Sequence, residues 1–139
     1  MVTSSRLTLR SILMADAVAS GVIGILIGAG ILDSMLDLPT ALLRTVGVVL
    51  IPWMILLAAI AMRRVISRSI VRIVIAVNLG WVAASILLLF TGWVEPNALG
   101  VVFILVQAMA VVVFALAQIA KQAEAAPAAP AQANRSFQV

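Results

Sequence analysis

The sequence predicts an all-α integral membrane bundle of four transmembrane helices, and three observations predict it. The chain has 139 residues, of which 65% are hydrophobic and only 10% charged, whereas a soluble domain is about half apolar and about a quarter charged. Its apolar residues gather into four runs of about 20 residues, the length of helix that crosses a hydrocarbon core of about 30 Å. Its basic residues fall almost entirely on one side of those runs, which gives the spans an orientation.

Residues 1–10 form a short cytoplasmic arm and the first span covers residues 11–32. Arg6 and Arg10 resemble the basic start of a secretory signal, and Ala17-Val18-Ala19 resembles a cleavage site. The apolar run before that site is short and Asp16 interrupts it, so the segment reads as a retained span. The second span covers residues 41–62 and the third 70–90. The fourth covers 98–120, and all four together form one transmembrane domain over residues 11–120. Transmembrane strands are excluded by the lack of polar–apolar alternation. The abundant Val and Ile are no obstacle, because in lipid the backbone must satisfy itself internally. Residues 121–139 turn rich in Ala and Pro and have little to bury, so they read as a disordered cytoplasmic tail.

The connections carry Asp33, Asp37 and Pro39 in the first, Arg63 to Ser69 in the second, and Gly92, Trp93 and Pro96 in the third. Links this short make consecutive spans antiparallel. Arg6, Arg10, Arg63, Arg64, Arg68, Arg72, Lys121 and Arg135 then share one side, and of the nine Lys and Arg residues only Arg44 lies on the other. This bias places both termini and the middle loop in the cytoplasm, with Asp33, Asp37 and Glu95 outside, and predicts a multi-pass membrane protein. The net charge of +4 is thereby explained by topology, and no nucleic-acid partner is expected; the lipid bilayer is.

The halves of the chain resemble one another when Asp16 is laid on Asn78. Gly30 then meets Gly92 and Asp33 meets Glu95. After a five-residue gap Pro39 meets Pro96, Ala41 meets Ala98, Leu42 meets Leu99 and Arg64 meets Lys121. A tandem repeat of helical hairpins would give this pattern, as in transporters built from parallel repeats.

Few polar residues lie inside the spans. Asp16 stands near the cytoplasmic end of the first, where an acidic side chain turns toward a protein interior and marks a candidate site. Ser20, Gly24 and Gly28 follow it at steps of four and form a small-residue stripe that admits a close helix neighbour. Asn78, at similar depth in the third span, is expected to hydrogen-bond Asp16, and it shares a face with Trp81 and Ser85. Gln107 lies central in the fourth span on a stripe with Gly100, Phe103, Val111, Phe114 and Gln118, and reads as a structural hydrogen-bonding residue. Arg44 sits in the first turn of the second span, where a cation opposes the helix dipole. Its candidate partners in an outer ion pair are Asp33, Asp37 and Glu95. Pro52 frees a carbonyl one turn back and is expected to kink the second span.

With no Cys and no His, the chain has no thiol nucleophile, thiolate site or imidazole ligand, and neither a metal nor a cofactor is expected. No phosphate-binding glycine loop, nucleophile elbow or pair of carboxylates at catalytic spacing is present, so an enzyme is not expected. Asp16, the small-residue stripe, the acidic outer loop and the sequence LLRTVG that opens the second span make the chain similar to short four-helix bacterial inner-membrane proteins of unassigned function. It loosely resembles DoxX-like proteins, which also have four helices and an Arg and Gly near the start of a helix. It more weakly resembles small multidrug transporters, which use an acidic residue in the first helix; Asp16 matches that position, although it is Asp rather than Glu and the chain has no Tyr. The leading expectation is a structural or accessory role in a homo-oligomer or larger membrane complex. The alternative is a small ion- or proton-coupled transporter with Asp16 as its titrating group.

Overall fold

In a computed structural model, residues 8–126 are described and form five helices. They are α1 (Leu9–Gly28), α2 (Asp33–Leu36), α3 (Thr40–Met62), α4 (Arg68–Phe90) and α5 (Ala98–Glu124). All but the one-turn α2 are long and apolar enough to cross a membrane. Arg6 and Arg135 lie outside the described residues, as does the tail beyond residue 126.

Local chemistry sets the boundaries. Helix α1 starts two residues before the expected position 11, because Thr8 and Ser11 close a reciprocal capping box, with Ser11 N–H on Thr8 Oγ1 at 3.2 Å and Thr8 N–H on Ser11 Oγ at 2.9 Å. It ends at Gly28 rather than continuing to residue 32. Gly30 has a φ of 79°, the left-handed conformation that glycine adopts without strain. Gly30 N–H then reaches Ile27 O at 3.2 Å and Ile31 N–H reaches Leu26 O at 3.1 Å, which is the Schellman closure. The chain after it winds into the one-turn α2, within the short connection that Asp33, Asp37 and Pro39 mark in the sequence.

Helix α3 runs unbroken through Pro52. Helix α5 starts on an Asn97 cap, whose Oδ1 accepts from Gly100 N–H at 2.9 Å while its Nδ2 donates to Met35 O at 2.9 Å, tying α5 to α2. At its other end α5 continues to Glu124, so the predicted tail begins later than residue 121. Lys121 and Glu124 pair at 2.8 Å one turn apart, and Gln122 Nε2 donates to Arg68 O at 3.0 Å. These contacts keep the last turn ordered.

The helices form two antiparallel hairpins, α1 with α3 and α4 with α5, joined mainly where α1 meets α5. The first hairpin is the tighter. A methyl group built on Gly47 of α3 would lie 2.8 Å from Gly28 Cα and 3.0 Å from Gly24 O, so the two backbones touch through glycine. Helices α3 and α4, although consecutive, scarcely approach one another by backbone.

The core is divided along the bundle. Leu13, Ala17, Leu57, Ile60, Ala61 and Val74 pack together toward the end that carries Arg63, Arg64 and Arg68, here termed the basic end. A second cluster, with Ile27, Leu36, Leu43, Leu50 and Ile104, fills the opposite end. Most of the remaining large apolar side chains lie on the outside, which is the reverse of a soluble protein and the arrangement a bilayer requires. The halves matched in sequence both place a left-handed glycine after the first helix of the hairpin, Gly92 with a φ of 70° against 79° at Gly30, although only Gly30 carries the Schellman bonds. The gap in that match coincides with α2, which exists only in the first half.

Candidate functional site

The interior turns polar at two levels, the first of them beside the core cluster of the basic end. Asp16 lies on the inner face of α1 with Ile12, Leu13 and Ala17, and only 1% of its surface is exposed. Its Oδ2 accepts from Asn78 Nδ2 of α4 at 2.9 Å and from Gln118 Nε2 of α5 at 3.0 Å. Its Oδ1 accepts from Ser20 Oγ, one turn along α1, at 3.5 Å. Asn78 Nδ2 also lies 3.5 Å from Gln118 Oε1. One carboxylate therefore draws donors from three helices, as a buried charge must if it is not to remain unsolvated.

The Asp16–Asn78 pair joins residues that the sequence placed at equal depth. Gln118 is the member that sequence reasoning did not assign to Asp16. The signal was available in part, because Gln118 lies about three helical turns from Gln107 on the same stripe, toward the cytoplasmic end of its span where Asp16 also lies.

Gln107 heads a separate network. Its Oε1 accepts from Trp81 Nε1 at 2.7 Å, and its Nε2 donates to Ser85 Oγ at 2.9 Å and to Ile104 O at 3.1 Å. Ser85 Oγ in turn donates to Trp81 O at 2.8 Å. This locks α4 to α5 one level farther from the basic end.

Asp16 stands at the wall of a cavity of about 340 Å³ in the centre of the bundle. Polar side chains in its lining are Asp16, Ser20, Asn78 and Gln107, besides the indoles of Trp53 and Trp81; the rest is apolar, with Pro52 and Phe114 among it. Val49 and Leu56 of α3 and Val77 of α4 line it and are about half exposed, so its mouth lies in the gap between α3 and α4 and faces the lipid. A second cavity of about 220 Å³ continues toward the opposite end. Ile23, Trp81 and Gln107 line both, which makes the Trp81–Gln107 bond a partition between two chambers.

The small-residue stripe lies in a helix contact. Gly24 and Gly28 face Gly47 of α3, and Gly24 also faces Leu50. The stripe is covered within one chain.

The outer ion pair is narrower than the sequence allowed. Arg44 Nη2 bonds Asp33 Oδ2 at 3.0 Å; Asp37 and Glu95 form no ion pair with it among the described residues. Its Nη1 donates to Gly28 O at 2.5 Å and Ile27 O at 3.3 Å. Arg44 thus turns away from the N-terminus of its own helix and caps the C-terminus of α1, where a cation is favoured. Arg44→Ala is expected to lower stability by about 1 kcal/mol, since the pair is partly exposed, read from thermal unfolding in detergent. Arg44→Lys should recover only part of it, because an ammonium lacks the fork that spans both carbonyls and a carboxylate.

These features define a small multi-pass membrane protein with a carboxylate-centred polar cluster beside an internal cavity. No known protein family, curated protein or solved structure matches the chain.

Proposed function

We propose that the protein is a small carrier of a bacterial inner membrane, with its basic end cytoplasmic, in which Asp16 holds and releases a proton or cation. The observation that carries this reading is the position of Asp16: a carboxylate held by side chains of α1, α4 and α5, yet forming the wall of a cavity that opens sideways into lipid. A carboxylate needed only for packing has no use for a chamber beside it. Carboxylates at such positions serve as proton and cation carriers in membranes. The volume of about 340 Å³ falls within the range of small-molecule sites, and two indoles in the lining offer faces to an organic cation. The second chamber beyond the Trp81–Gln107 partition extends the route along the bundle. The reading assigns the chain no bond-making chemistry. An accessory subunit would need a small-residue groove open to a partner, and Gly24 and Gly28 are already engaged by Gly47.

The test is uptake of tetraphenylphosphonium into proteoliposomes under an imposed pH gradient. Uptake is expected with the native protein and is expected to fall at least tenfold in Asp16→Asn. Asn retains the acceptor for Asn78 and Gln118, so the fold should survive, checked by an unchanged elution profile in detergent. Equal uptake by both proteins would remove Asp16 as the coupling group.

A further inference from the structure

The cleft between α4 and α5 at the basic end is separate from the Asp16 site. Arg68, Arg72 and Ile75 of α4 follow one another at steps of four and three, on one face of the helix. Ile119, Gln122 and Ala123 of α5, with Ala126 just past its end, stand opposite them, and the two sides bound a cleft of about 390 Å³. The cleft is graded along the membrane normal. The arginines stand at its outer rim, and Ile75 and Ile119 lie one to two turns deeper.

We propose that this cleft binds an anionic glycerophospholipid, with the phosphate between Arg68 and Arg72 and the start of an acyl chain along Ile75 and Ile119. Four observations support it. Arg72 makes no hydrogen bond or ion pair among the described residues, which leaves its full set of donors available. Arg68 uses one nitrogen to bond Ala125 O and keeps the others. That bond also covers a carbonyl at the negative end of α5, the one nearby feature that would repel an anion. Ser67 gives α4 no side-chain cap, so the first-turn N–H groups add positive potential at the same end. Glu124, the acidic residue nearest in sequence to the cleft on α5, is held by Lys121 at 2.8 Å. Basic pockets between transmembrane helices at this level recognise lipid headgroups. The apolar floor selects a lipid over free phosphate, because a bare phosphate would leave Ile75 and Ile119 without contact.

The experiment is native mass spectrometry of the purified protein in a neutral detergent, titrated with dioleoylphosphatidylglycerol and, separately, dioleoylphosphatidylcholine, which has the same chains. Phosphatidylglycerol should be retained at least tenfold more tightly. The Arg68→Gln/Arg72→Gln variant should lose that preference. Arg63→Gln/Arg64→Gln removes the same charge from the adjoining loop and should keep it. Ala123→Trp fills the cleft on an exposed stretch of α5 with both arginines in place, and should lose the preference as well; it decides the matter if the double arginine variant does not fold. Equal loss in both double variants would reduce the effect to diffuse surface charge and overturn the site. Retention in Ala123→Trp, or displacement of the lipid by equimolar inorganic phosphate, would overturn it too.

Discussion

Gly47→Ala is expected to lower the stability of the folded protein by about 2–3 kcal/mol, and Gly47→Leu to leave no folded protein to purify. The reason lies in which atoms the new group meets. At Gly47 the obstacles are Gly28 Cα at 2.8 Å, Gly28 N at 2.9 Å and Gly24 O at 3.0 Å, all of them backbone. A flexible side chain can turn aside, but a helix backbone can only move as a whole. Helices α1 and α3 must therefore separate along much of their length and lose the dispersion contacts that hold membrane helices together. Gly80 is the internal control, because a methyl group there meets nothing within 4 Å, and Gly80→Ala should be neutral or slightly stabilising. Thermal unfolding of the two alanine variants side by side in one detergent decides it; equal midpoints would show that the α1–α3 contact is not tight.

The second large effect concerns Asp16. Asp16→Leu is expected to destabilise by about 2 kcal/mol, because it deprives Asn78 and Gln118 of their shared acceptor. Each can turn partly to the other, across the 3.5 Å between Asn78 Nδ2 and Gln118 Oε1, which limits the loss to roughly one orphaned donor. The triple variant Asp16→Leu/Asn78→Leu/Gln118→Leu should recover most of that loss, since replacing a whole buried polar group with apolar side chains is often neutral or better. The same variant should carry no tetraphenylphosphonium. Stability regained with transport lost would show that the cluster is kept for what it does rather than for holding the fold. A triple variant less stable than Asp16→Leu would assign the cluster to folding.

Much of the architecture was legible in the sequence, because a bilayer leaves the backbone few choices. The four spans, their antiparallel order and the crowding of basic residues at one end follow from run lengths and from the positions of Arg63, Arg64, Arg68 and Arg72. The pairing of Asp16 with Asn78 follows from equal depth. Other features depend on packing. Helix α1 stops at Gly28 because Gly30 takes a left-handed turn and Arg44 caps the exposed carbonyls, and hydropathy alone continues through Ile31 and Leu32. Arg44 read as a misplaced cation because its own helix was considered, whereas it serves the end of a neighbouring one. The stripe of Ser20, Gly24 and Gly28 announced a close helix contact but not whether the neighbour belonged to the same chain; Gly47 answers that. The cavity was not legible at all. It arises where α3 and α4 part, and no local pattern reports the spacing of two helices.

The partners of Asp16 also lie far along the chain. Asn78 is 62 residues away and Gln118 is 102. Chains are synthesised at about 5–20 residues per second, so Asp16 is made roughly 3–12 seconds before Asn78 and about 5–20 seconds before Gln118. Throughout that interval it has only the hydroxyl of Ser20, one turn away on its own helix, to answer it. An acidic residue at the centre of a span disfavours insertion by about 2.5–3.5 kcal/mol. The position of Asp16 near the end of α1, rather than at its middle, lets the carboxylate stay within reach of water until the second hairpin is made. The first hairpin, closed by glycine contacts, by the packing of Leu13 and Ala17 on Leu57 and by the Arg44 cap, can form and wait, and the arrival of α4 and α5 draws Asp16 out of that contact with water. The site is thus the last part of the molecule to be completed during its birth.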